Sequence, residues 1–181
     1  MTGGIRINRI RILILATLIL TLSSCAGAAA DIYVNSTDSI QAAVTAANQG
    51  DVIIVDPPGT YTENVDINGK TNLLIKSSAD PADTVIAPAD VNKDVITIRN
   101  SNTITIQGLN ITGAGNDKAG IYVYKSNNCK VENNILHNDA LGGIYLKGSD
   151  YTLVRNNIAT KNNNPGTAEL SILNSPITLM F

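Results

Sequence analysis

The feature that most restricts this chain is that it repeats. Laying Ala119 to Asn134 over Gly142 to Asn157, a shift of 23 residues, places Gly120 on Gly143, Ile121 on Ile144, Tyr122 on Tyr145, Ser126 on Ser149, Val131 on Val154 and Asn134 on Asn157. A shift of 25 carries Ile96 onto Ile121, Ile98 onto Val123 and Ser101 onto Ser126. A shift of 26 carries Ile144, Leu146 and Ser149 onto Leu170, Ile172 and Ser175. Four consecutive units share this register, and their length differences collect in one Asn/Gly/Asp-rich stretch, at 113–118, 138–141 and 161–167. Each unit holds three short segments in which apolar residues alternate with polar ones, such as Ile96-Thr97-Ile98 and Ile104-Thr105-Ile106, the period of half-buried strands. So short a unit has no room for a crossover helix between parallel strands. A coil fits: each unit is one turn of a solenoid, and equivalent strands of successive turns stack in parallel.

Stacking predicts ladders. Ile96, Ile121, Ile144 and Leu170 form one, Ile98, Val123, Leu146 and Ile172 a second, and Ile106, Val131 and Val154 a third. Cys129 falls in line with Ile104 and Thr152, as a small buried hydrophobe rather than a nucleophile. Asn134 and Asn157 are expected to stack at a bend with their amides bonded along the axis, with Leu109 at that place one turn earlier. Composition agrees: 22 Asn residues suit tight left-handed turns, and with no Trp and one Phe the core must be aliphatic. Ile40, Ala43, Val44 and Ala47 share one helical face. Asp38 with Gln41 reads as a capping box and Gly50 as a stop, so a helix over about 38–48 should close the first turn. Charged residues are only 15% of the chain while 44% are hydrophobic, which excludes disorder and the basic footprint of a nucleic-acid binder.

The first thirty residues differ. Arg6, Arg9 and Arg11 precede an apolar run from Ile12 to Leu22, then small residues through Ala30, the layout of an export signal. The run is too short for a mature membrane-spanning helix. Its removal leaves 10 basic against 15 acidic side chains, a net charge of −5. The expected organisation is a signal peptide over 1–30 and one domain over 31–181, with clear repeats over about 94–175. Leu22-Ser23-Ser24-Cys25 resembles a bacterial lipobox, which would place a lipid anchor on Cys25. Either way the chain is expected outside the cytoplasm, secreted or at the cell surface or periplasm. Cys129 is then left without a disulfide partner. Asn35-Ser36-Thr37 and Asn110-Ile111-Thr112 are N-glycosylation sequons, making Asn35 and Asn110 candidate acceptors. The chain stops at Phe181 within a turn, which reads as a truncated frame or as an end covered by end-to-end association.

Ser39-Ile40-Gln41-Ala42-Ala43-Val44, then Gly50-Asp51-Val52-Ile53-Ile54-Val55 and Pro58-Gly59-Thr60-Tyr61-Thr62-Glu63-Asn64-Val65, resembles the opening of right-handed parallel β-helix proteins of the pectin lyase-like kind. NosD-like exported surface proteins are the most similar, over about residues 32–175. The resemblance implies an all-β right-handed parallel β-helix with a short N-terminal capping helix. It is specific for fold and weak for function.

The signatures of polygalacturonases and pectin methylesterases are absent, and Glu132, matched by Arg155 one turn on, reads as an exposed ion pair. No catalytic residue is assigned. The expected role is a non-catalytic carbohydrate-binding or surface-architecture module, with a pectin-active esterase or a polysaccharide lyase or hydrolase fragment lacking its later turns as the alternative. The copper role attached to the NosD name lacks ligands, since His137 stands alone and the methionines are Met1 and Met180. Calcium is the one candidate cofactor: Asn116, Asp117, Asn138 and Asp139 offer hard oxygens in the same variable turn, where they equally read as ordinary turn residues. Tyr122, Tyr124 and Tyr145, with Lys147, share an outward face. They read either as a sugar-stacking platform for a polysaccharide or envelope glycan, or as an aromatic ladder bracing the sheet.

Overall fold

The computed structural model describes residues 28–162, 170–173 and 177–180. Residues 1–27, with most of the expected export signal and Cys25, lie outside them. Three parallel sheets wrap one aliphatic column. The first stacks β1 (Asp31–Val34), β2 (Val52–Val55), β5 (Thr71–Ser77), β8 (Asn102–Gln107), β11 (Lys130–Glu132), β14 (Thr152–Arg155) and β17 (Ile177–Met180). The second stacks β4 (Val65–Asn68), β7 (Ile96–Arg99), β10 (Ala119–Tyr124), β13 (Gly142–Lys147) and β16 (Leu170–Leu173). The third stacks β3 (Gly59–Thr62), β6 (Thr84–Ala87), β9 (Asn110–Thr112), β12 (Ile135–His137) and β15 (Ile158–Thr160). The chain visits the first, third and second sheets in turn, so each circuit is one coil of a right-handed parallel β-solenoid.

The register is the one the repeat predicts. Ile96 pairs with Ile121, Ile121 with Ile144 and Ile144 with Leu170, and Ile106, Val131 and Val154 pair in the first sheet. The inward residues of these ladders through Leu146 and Val154 are buried. Cys129 is buried with them, and the apolar surroundings push its thiol up to about 11, so it stays protonated.

Every corner of the coil has its own polar ladder, because N–H groups at a bend are turned out of the sheet and need partners along the axis. Between the first and third sheets, Asn134 Oδ1 accepts from Leu109 N at 3.0 Å and its Nδ2 donates to the Ile106 carbonyl at 3.1 Å. Asn157 repeats this one coil on, accepting from Asn134 N and donating to the Val131 carbonyl. The residues just before them, Asn133 and Asn156, have φ of 57° and 54°, which turns the chain sharply. Between the second and first sheets, Ser126 Oγ accepts from Ser101 N and Ser149 Oγ from Ser126 N, each at 3.1 Å. Between the third and second sheets, Ala114 N donates to Asp139 Oδ1 and Asp139 N to Asn162 Oδ1.

Two local expectations are corrected. Helix α1 spans Ile40–Ala46, and its N-cap is Ser39, not Asp38: the Ser39 hydroxyl accepts from Ala42 N at 3.1 Å. Asp38 is turned back to Asn35 N. Glu63 arrives from the end of β3 to accept from Ile40 N and Gln41 N, supplying the first-turn carboxylate that the local sequence lacks. Gln41 instead bonds the backbone of Asp66. Ala47, three residues before Gly50, is already extended and caps the helix end. Glu132 is also not exposed: its side chain is 10% accessible, against 41% for Arg155, which reaches it at 2.7 Å. Stacking inside the first sheet covers the acid while the longer arginine reaches solvent.

Removing a ladder rung should be costly. Asn134→Leu leaves Leu109 N and the Ile106 carbonyl without their side-chain partner, and it should lower unfolding stability by about 1–3 kcal/mol. Urea denaturation followed by circular dichroism measures this, and an unchanged midpoint would show that the amide ladder contributes nothing.

Candidate functional site

The outer face of the second sheet carries the most distinctive side chains. Parallel register sets them in two rows: Asp66, Thr97, Tyr122 and Tyr145 in one, Asn68, Arg99, Tyr124 and Lys147 in the other. Alternation along each strand puts all eight outward, because their neighbours Ile67, Ile98, Val123 and Leu146 are fully buried. Tyr122 is central. Its ring centroid lies 5.9 Å from that of Tyr124, nearly parallel, and 5.3 Å from that of Tyr145, tilted by 40°. Lys125 Nζ sits 5.0 Å above the Tyr124 ring. Partial burial, then the neighbouring Tyr145 and Asp94, hold the Tyr122 hydroxyl above its usual value, so it remains a neutral donor and acceptor. The four residues expected to act together, Tyr122, Tyr124, Tyr145 and Lys147, are thus brought onto one face.

The same face continues into a groove of about 390 Å³ lined by Asn64, Asp66, Asn92, Lys93, Asp94, Thr97, Arg99 and Lys118. Arg99 grips Asp66 with two hydrogen bonds, Nε to Oδ1 at 2.8 Å and Nη2 to Oδ2 at 2.6 Å. Asn64 fastens the loop beneath, donating to the Asp90 and Asp94 carbonyls and accepting from Asp90 N. Asp94 accepts from Ala119 N, but burial raises its carboxyl above the usual range. This groove is not evident from the four repeat units. It exists because the preceding coil is longer: Val65 pairs with Ile96, a step of 31 residues, and the extra chain bulges out as its wall. Matching Val65-Asp66-Ile67-Asn68 to Ile96-Thr97-Ile98-Arg99 would have found it.

Known proteins share this coil. Residues 89–177 match the family described as "Right handed beta helix region". The chain is a right-handed parallel β-helix protein. A cell surface glycoprotein of Methanothermus fervidus is 31% identical over 141 residues, covering 75% of this chain and 22% of that one. The β-helix therefore spans about a fifth of that relative's length. An alginate lyase from Paenibacillus sp. str. FPU-7 superimposes with a TM-score of 0.61 at 17% identity, over 71% of this chain and 44% of the lyase. A pectin methylesterase solved in complex with a hexasaccharide gives 0.52 at 16% identity, over 84% and 67%. Identities this low establish the shared fold alone.

The other candidate residues fall in different surroundings. Asn116, Asp117 and Asn138 are exposed, and Asn116 Nδ2 donates to Asn92 Oδ1 at 2.6 Å. Asp139 is wholly buried in the β-helix, as the rung between Ala114 and Asn162. The four hard-oxygen candidates are therefore not gathered on one surface, and among the described residues no three His, Cys, Asp or Glu side chains lie close enough to hold a metal. No described helix is long and apolar enough to cross a membrane.

Asp139 stands where the next coil has an amide. Asn162 Nδ2 donates to the Leu136 carbonyl, whereas Asp139 Oδ2 has no partner and is packed against Gly120. A Cβ at Gly120 would lie 2.5 Å from that oxygen, which is why this position and Gly143, facing Asn162, are both glycine. Burial outweighs the backbone N–H bonds and lifts the Asp139 carboxyl to about 7. The folded chain then keeps a proton that the unfolded chain releases near pH 4. Stability from this group is full at lower pH, falls as pH rises from about 4 to 7, and is gone above that. Asp139→Asn should abolish this slope and stabilise the protein at pH 7 by about 1–3 kcal/mol. Unfolding midpoints across pH 4–8 test it. Equal slopes in both proteins would place the titration elsewhere.

Proposed function

We propose that this β-helix is an exported, cell-surface module that holds polysaccharide on the outer face of its second sheet and performs no chemistry on it. The observation that carries the reading is the continuity of the Tyr122, Tyr124 and Tyr145 rings with the groove at Arg99. Aromatic faces on a flat sheet stack against sugar rings, and their hydroxyls bond outward. The groove beyond supplies amides, a hydroxyl and paired charges suited to sugar hydroxyls. Surface placement is supported by the relative named a cell surface glycoprotein. Polysaccharide as the ligand class is in keeping with the two fold neighbours, one named a lyase of alginate and the other crystallised with a hexasaccharide.

The carboxylates of the groove are not free for catalysis. Glycoside hydrolysis needs two acids free to face one bond. In the groove Asp66 is committed to Arg99 and Asp94 to the Ala119 amide. An esterase or lyase is the competing reading, favoured by the raised carboxyl of Asp94 beside Tyr122.

Glycan-array binding followed by affinity electrophoresis on the retained polysaccharide tests the proposal. The double variant Tyr122→Ala/Tyr145→Ala should lose roughly tenfold or more in affinity, about 1.4 kcal/mol, while its circular dichroism spectrum stays that of a β-helix. Undiminished retention would mean the rings only brace the sheet. Release of reducing ends or methanol by the unaltered protein would replace the binding role with an enzymatic one.

A further inference from the structure

We propose that Asn35 is an N-glycan acceptor in the folded protein and that Asn110, the other sequon, is closed to modification. Transfer to asparagine takes an oligosaccharide from a lipid diphosphate carrier. The amide Nδ2 forms a bond to the anomeric carbon, the bond from that carbon to the diphosphate oxygen breaks, and the amide gives up one proton. The enzyme must seat three residues in its cleft, so the amide, the Ser or Thr hydroxyl two residues on, and the backbone between them must be free to leave their present partners.

The two sequons differ in each of these respects. Asn35, Ser36 and Thr37 are all exposed and lie in a turn after the end of β1, outside any strand. The Asn35 amide makes one exposed contact, to Asp38 Oδ2 at 3.2 Å. Asn110-Ile111-Thr112, by contrast, is the whole of β9, hydrogen-bonded to β6 on one side and β12 on the other. Ile111 is fully buried. His137 closes over the polar ends of this sequon: Nε2 lies 2.9 Å from Asn110 Oδ1 and Nδ1 lies 3.1 Å from Thr112 Oγ1. Seating Asn110 in a transferase would require pulling an interior strand from its sheet, whereas Asn35 needs only to exchange the exposed hydrogen bonds of its own turn, all of them to Asp38. The Asn35 turn sits at the corner between the first and third sheets, so a glycan there leaves the tyrosine face on the second sheet uncovered.

The test is glycosylation in vitro of the purified, unmodified full chain by a single-subunit oligosaccharyltransferase with a lipid-linked oligosaccharide. Native and unfolded samples are compared by peptide mass spectrometry. In the native sample the Asn35 peptide should carry the glycan and the Asn110 peptide should not. Unfolding should open Asn110, and Asn35→Gln should remove the native signal entirely. Modification of Asn110 in the native protein at a level comparable to Asn35 would overturn the proposal. So would an unmodified Asn35, whether or not unfolding opens it.

Discussion

The structure depends on hydrogen bonding along the solenoid axis at the places where the chain bends. Within the sheets, parallel strands satisfy one another. At the corners they cannot, and a triangular coil has three corners in every turn. Buried N–H groups left there without partners would each cost about 1–3 kcal/mol. This chain meets the demand with a different short side chain at each corner: amides at Asn134 and Asn157, hydroxyls at Ser101, Ser126 and Ser149, and the Asp139–Asn162 pair. Each reaches one coil back, which locks the spacing of the coils and keeps every strand in register with its equivalent. The aliphatic column inside is a consequence, since register stacks isoleucine on isoleucine.

Register also makes the surface. A residue type retained at an outward position in successive units becomes a row on one face, so two tyrosines separated by 23 residues become neighbours 5.3 Å apart. Where one unit is longer, the excess cannot enter the coil and must stand outside it, and that is how the groove beside Arg99 acquires its wall. A regular aromatic face and an irregular polar loop thus arise from the same constraint.

Much of this was legible in the sequence because the repeat is a record of stacking. The ladders of Ile96, Ile98 and Ile106 and the Asn134–Asn157 rung could be written down from alignment of the units, as could the shared face of Tyr122, Tyr124, Tyr145 and Lys147. The serine column was visible as a match, but its role was not, since a serine at a turn is common for many reasons. Asp139 read as a turn residue with oxygen to offer a cation. Only its alignment with Asn162 and Ala114, across a stretch of variable length, shows that it points inward. The capping of α1 by Glu63 was out of reach of local pattern, because the acid comes from the end of β3, more than twenty residues away. Glu132 looked exposed because acids usually are, and it is covered because its neighbours in the stack cover it.

What the sequence alone determined is the coil: alternation with period two, units too short for helices, and a conserved register among them leave parallel stacking as the one arrangement that buries the aliphatic residues. What only the tertiary structure decided is which polar groups face solvent and which face each other. Sequence spacing fixes where a side chain falls along the chain, but its burial depends on the coils above and below, whose loops differ in length. That is why Asn35 is exposed and Asn110 is held by His137, and why one aspartate of the variable turn is exposed while the other sits in the core.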